Sequence, residues 1–162
     1  MLPIRVILHP TDFSAQSKPA FQVACALAQD HQARLIVLHV REVPVVAYGE
    51  FGQLPIELEP PEAIREKLDK LIALRRNANV GIEPWVKIGD PAIEILATAQ
   101  ETGSDMIVLG THGRTGLSRL LMGSVAEQVV RKASCPVLTI KTPVKKVGET
   151  TELAHSSPTS RS

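Results

Sequence analysis

Aromatic side chains are nearly missing from this chain, at 3% of its 162 residues. So is any excess of charge of one sign, with 18 lysines and arginines against 17 aspartates and glutamates. The first shortage removes the row of rings on which a single-strand-binding protein stacks bases. The second removes the general electrostatic footprint of a nucleic-acid or membrane-surface binder. Cysteine is scarce as well: Cys25 and Cys135 are the only two, and they match no metal-ligand or redox spacing. Each reads as a small packing residue, and a reducing, cytoplasmic compartment is the expectation. Long apolar runs are lacking too. The N-terminal MLPIRVILHP is cut short by Pro10, has no basic leader with a cleavage site, and is too short to cross a membrane. Neither a G-x4-G-K-S/T phosphate loop nor a G-x-S-x-G nucleophile elbow occurs, which leaves out the ATPases and hydrolases built on them.

What remains is an ordinary globular composition, 44% hydrophobic and long enough for one core. Short apolar runs rich in β-branched residues alternate with longer amphipathic ones. LIVL (35–38) and MIVL (106–109) are unbroken apolar runs, the mark of strands covered on both faces. Ile64, Leu68, Leu71 and Ile72 line one side of a helix, and Val125, Val129 and Ala133 line another. Asp90-Pro91 reads as a cap and first turn, and Ser124-x-x-Glu127 as a capping box. The spacing predicts strands at 3–9, 34–40, 82–88, 105–110 and 136–141, with helices at 17–30, 61–78, 90–102 and 124–134. Such alternation predicts a doubly wound parallel sheet of five strands with helices on both faces. Residues 41–60, with three prolines and two glycines, read as an irregular surface loop, and residues 142–162 as a mobile tail.

The chemistry concentrates in VLGTHGRTGLSRLLMGSVAEQVV, residues 108–130, where a glycine-punctuated basic loop joins a buried strand to a helix. In an open parallel sheet, ligands bind outside the carboxyl ends of the strands, and free N–H groups at a helix start attract anions. Gly123 would let backbone approach a phosphate, Ser124 would donate to one, and Arg114 and Arg119 would add charge. The same residues also read without a ligand, with Gly110 ending a strand, Gly113 and Gly116 in turns, and Ser124 a plain cap.

The pattern G-x2-G-x9-G-S on Gly110, Gly113, Gly123 and Ser124 resembles the nucleotide-binding signature of the universal stress protein family. The likeness extends to ILHPTDFS, LIVLHV, GDPAIEIL and CPVLTI, and so spans residues 3 to 141. It implies a flavodoxin-like sheet in the order 3-2-1-4-5 and one nucleotide-binding domain over residues 1–141. It implies ATP or AMP as ligand, with or without Mg²⁺. Pro10, Thr11 and Asp12 would sit by the adenosine, and Val40 would meet the adenine through its backbone. Gly110, Thr111, His112, Gly113 and Arg114 would line the site, while Gly123, Ser124 and Val125 would hold the phosphates. It further implies a homodimer through the last strand, 136–141, which is also an apolar edge that needs cover.

These readings give a regulatory or stress-response nucleotide-binding protein, with no nucleic-acid or membrane partner. Two alternatives stand beside it. One is a slow ATP hydrolase or an adenylyl or phosphoryl transferase, with Asp12 positioning metal or water. The other is a ligand-free dimeric interaction module. Asp12 also reads as an Asx-type turn, and His112 as either a phosphate contact or a loop residue. His9 and His39 near strand ends read as packed, His31 and His155 as exposed, and Trp85 as packing or partly exposed.

Overall fold

The computed structural model describes residues 3–42, 59–75, 80–111 and 122–141. In chain order these form β1 (Val6–Pro10), α1 (Lys18–His31), β2 (Arg34–Arg41), α2 (Pro61–Ala73), β3 (Ile82–Ile88), α3 (Pro91–Glu101), β4 (Met106–Gly110), α4 (Ser124–Lys132) and β5 (Val137–Ile140). The strands make one sheet in the order β3-β2-β1-β4-β5, with every pairing parallel. This is the flavodoxin-like arrangement that the resemblance implies.

The apolar runs explain why helices cover both faces. Successive strand side chains point to opposite sides, so Leu35 and Val37 of β2 join one buried cluster while Ile36 and Leu38 join another. Ile7 and Leu8 of β1 divide in the same way, as do Val108 and its neighbours Ile107 and Leu109 in β4. The first cluster is closed by Phe21, Ala24, Cys25 and Ala28 of α1 with Ile64 and Leu68 of α2. The second is closed by Ile95 and Ala99 of α3 with Ala126 and Val129 of α4. Leu8, Leu35, Ile36, Leu38 and Ile107 are fully buried, each contributing about 1.5–3 kcal/mol.

Local chemistry sets most element ends. Asp90 caps α3, its carboxylate accepting from the Ile93 N–H at 3.0 Å, with Pro91 in the first turn. The far end of α3 closes in a Schellman turn: Gly103, at φ +60°, donates to Gln100 O and Ser104 donates to Ala99 O. β1 begins at Val6 rather than at residue 3, because the Asp105 carboxylate takes the Arg5 and Val6 N–H groups at 2.8 and 3.0 Å in place of a ladder partner. α2 ends at Ala73, short of the expected 78, with a turn at Leu74 and Arg75 and residues 76–79 outside the described set.

The expected capping box does not form. Gly123, extended at φ −72° and ψ 156°, is the N-cap of α4, and no side chain caps it. Ser124 is therefore the first helical residue, one position too late to cap, and the Glu127 N–H donates to the Gly123 carbonyl in the ordinary helical ladder. The irregular loop and the tail lie almost wholly outside the described residues.

Candidate functional site

The two ladders on β1 differ in length. Against β2 it pairs from Val6 to Pro10, but against β4 only at Ile7↔Met106 and Leu8↔Ile107. Beyond that the strands part. The Thr11 N–H donates to Leu38 O of β2 at 2.8 Å, and the Thr111 N–H donates to Ile140 O of β5 at 3.0 Å. Each strand end follows its outer neighbour, so a crevice opens between Pro10-Thr11 and Gly110-Thr111. This is the carboxyl edge of the sheet, at the point where strand order reverses.

His9 stands at the apex of that split. Its Nδ1 lies 2.8 Å from Val108 O and replaces the main-chain ladder there. A carbonyl only accepts, so Nδ1 carries the proton and Nε2 is an acceptor. Nε2 is buried with no hydrogen-bond partner, and the ring rests against Phe21 at 5.6 Å. Burial pushes His9 down to about 4, against the opposing pull of the Val108 bond and the Asp12 charge.

The PTDFS segment forms the near wall. Thr11 is buried; its Oγ1 accepts from the Phe13 N–H at 3.2 Å and lies 3.4 Å from Ser17 Oγ. The Asp12 carboxylate accepts from the Ser14 N–H at 3.0 Å, the Asx-type turn that the sequence allows. Phe13 takes a left-handed φ of 62°. On the far wall the Gly123 N–H donates to Thr111 O at 2.7 Å and brings the start of α4 to the end of β4. That amide is committed to Thr111. The exposed Ser124 and half-buried Val125 follow in the first turn.

The fold thus brings Pro10, Thr11 and Asp12 to the carboxyl end of β1, Gly110 and Thr111 to that of β4, and Gly123, Ser124 and Val125 to the start of α4 beside β4. Val40 lies two residues past Leu38, the last β2 partner of β1, also at the carboxyl edge. His112, Gly113 and Arg114 lie outside the described residues, as do Gly116 and Arg119. His9 and His39 are buried, as their strand positions predict. Their hydrogen bonds to the main chain beside the crevice were not legible, although a histidine closing each of two apolar strands was a signal. Among the described residues no three acid, histidine or cysteine side chains are grouped to hold a metal. No described helix is long and apolar enough to cross a membrane. Two surface hollows lie away from the crevice. One, between α1 and α2, is lined by Lys18, Phe21, Gln22, Leu71, Leu74 and Arg75, and the other includes Gln32, Arg34 and Glu83.

A sequence profile described as the universal stress protein family matches residues 3–141. The chain belongs to the universal stress protein family. Universal stress protein MJ0531 of Methanocaldococcus jannaschii is 38% identical over 143 residues, covering 86% of this chain and 84% of that one. A crystal structure of a universal stress protein in complex with cAMP superimposes with a TM-score of 0.65 at 23% identity, over 86% of this chain and 98% of the other. The universal stress protein from Archaeoglobus fulgidus in complex with dAMP gives 0.60 at 21%, over 87% of this chain and all of the other. At those identities the likeness is one of fold, and this universal stress protein shares that fold.

Proposed function

We propose that this chain binds an adenine nucleotide, ATP or AMP, in the crevice between β1 and β4, and acts as a regulatory or stress-response protein. The observation that carries the reading is the parting of β1 and β4 at their carboxyl ends, with the Gly123-capped start of α4 drawn beside it. A nucleotide fits that arrangement: an open first helical turn with no side-chain cap is an anion site. Two proteins of the same fold were solved with cAMP and dAMP, both adenine monophosphates. Asp12, with Pro10 and Thr11, would stand by the adenosine, and Val40 would meet the base. Gly110 and Thr111, with His112, Gly113 and Arg114, would line the wall, while Gly123, Ser124 and Val125 would face phosphate. With no ligand cluster among the described residues, any Mg²⁺ would rest mainly on the nucleotide's own phosphates.

One nucleotide-binding domain would span residues 1–141, in the cytoplasm. β5 is an edge strand whose four residues are each half-buried, and a second copy pairing along 136–141 would cover it. The hydrolase or transferase alternative would need Asp12 to hold water or metal, and among the described residues no two further acid, histidine or cysteine side chains are grouped with it to share a metal.

Calorimetric and thermal-shift titration with ATP, ADP and AMP, on protein stripped of nucleotide, tests the reading. Ligand at a hundred times its Kd should add roughly 2.7 kcal/mol of stability. Gly123→Val should abolish that gain; φ −72° is open to any residue, so the backbone conformation itself is not forbidden, and the variant's own unfolding midpoint without ligand separates a lost cap from a lost site. No response to any of the three nucleotides would overturn the reading.

A further inference from the structure

We propose that Phe13 and His39 are positioning residues that together clamp Asp12 in the orientation in which it meets the ligand. The inference rests on the nucleotide-site reading above and names what holds one wall of that site in shape.

The geometry begins at Phe13. A bulky residue at φ 62° is an outlier, because its Cβ crowds the backbone. Such a conformation persists only where the surroundings over-determine it. Three contacts do so here. The Phe13 N–H donates to Thr11 Oγ1 at 3.2 Å, its ring meets the His39 ring with centroids 4.5 Å apart and 33° between planes, and the Lys67 ammonium lies 5.8 Å above the ring. Lys67 is itself held by an ion pair with Glu59.

His39 does two things at once. Its Nδ1 lies 2.9 Å from Thr11 O, so Nδ1–H donates to the main chain of residue 11 while the ring supports the side chain of residue 13. The residues on either side of Asp12 are therefore both fixed to one imidazole at the carboxyl end of β2. The left-handed turn at Phe13 then swings the chain back, so that the Ser14 N–H reaches the Asp12 carboxylate at 3.0 Å. Main chain on both sides and one carboxylate oxygen are all held. Asp12 has little freedom left, and His39, 27 positions further along the chain, decides where it points.

A ring that merely fills space would affect the fold and leave Asp12 alone, so the test must separate the two. Affinities for ATP and AMP are measured on the full chain for wild type, Asp12→Ala, Phe13→Gly, Phe13→Tyr and the Asp12→Ala/Phe13→Gly double variant. Glycine accepts φ 62° freely, so the turn stays allowed while the ring and its Cβ are lost; His39→Asn, which leaves the residue 13 backbone unchanged, is measured beside it. Phe13→Gly should weaken binding roughly tenfold, Phe13→Tyr should restore it, and the double variant should bind no worse than Asp12→Ala alone. If Phe13→Gly unfolds the protein, His39→Asn carries the test alone. Its amide keeps a donor near Thr11 O and removes the ring, and the same loss and the same non-additivity are expected. Wild-type affinity in the ring variants beside a weakened Asp12→Ala overturns the clamp and leaves the site reading standing. Fully additive losses also overturn it, since the ring would then act on its own. Unchanged binding in Asp12→Ala, or no binding in wild type, overturns the site reading and the clamp with it.

Discussion

Acidification should destabilise this protein through His9. The imidazole is completely buried, so the folded state holds it neutral down to about 4, whereas an unfolded chain takes up the proton near 6.5. Between those values the unfolded state binds more protons than the folded one, and stability falls as pH falls. Above 6.5 both states are neutral and below 4 both are protonated, so the loss is confined to that window. Each pH unit of it is worth up to about 1.4 kcal/mol, about 3 kcal/mol over the whole, a large part of a domain's usual 5–15 kcal/mol. Asp105 does not confuse the measurement. Its bonds to the Arg5 and Val6 N–H groups hold it below its ordinary 3.8, so its contribution is present above that value and fades only at lower pH. The assay is urea unfolding followed by circular dichroism at half-unit steps from pH 7.5 to 4, on wild type and His9→Asn. The asparagine amide keeps a donor near Val108 O and removes the titration. The variant starts less stable, because the ring leaves a gap beside Phe21, but its stability should change about 3 kcal/mol less across the window. Parallel profiles for the two proteins would refute the reasoning.

Two further outcomes follow from the helix ends. Gln32, at φ 53° after α1, holds a left-handed position while donating to Gln29 O. Gln32→Gly should therefore stabilise the protein by about 0.5–1 kcal/mol, read as a higher urea midpoint. Asp90→Ala removes the carboxylate that receives the Ile93 N–H and should cost about 1 kcal/mol, with the loss recovered by Asp90→Ser; an unchanged midpoint would mean that the cap contributes nothing.

Much of the architecture was legible in local pattern. The runs LIVL and MIVL announced strands covered on both faces, and Leu35 to Leu38 do divide between the two cores. Asp90-Pro91 announced a helix start, and the carboxylate caps it. What local pattern misjudged were ends that distant groups determine. β1 starts late because Asp105, a hundred residues away, occupies its first amides. The Ser124 capping box failed because Gly123 had already taken the extended conformation that a cap requires, held there by its bond to Thr111.

The candidate site divides the same way. The glycine spacing and PTDFS mark residues able to approach a ligand, because missing side chains and turn chemistry are properties of the chain itself. That PTDFS, Gly110 and Gly123 share one edge of the sheet depends on β1 and β4 becoming neighbours, their ladder ending after Leu8 and Ile107, and each strand end following its outer partner. The roles of His9 and His39 depend on it too. In the sequence they are two histidines at the ends of apolar strands. In the fold, one bridges a gap in the sheet and the other supports both neighbours of Asp12. Sequence determined which segments are strand, helix and glycine turn, since those follow from periodicity and conformational preference over a few residues. Only tertiary structure decided where the sheet opens and what holds its walls, since those depend on hydrogen bonds between residues far apart in the chain.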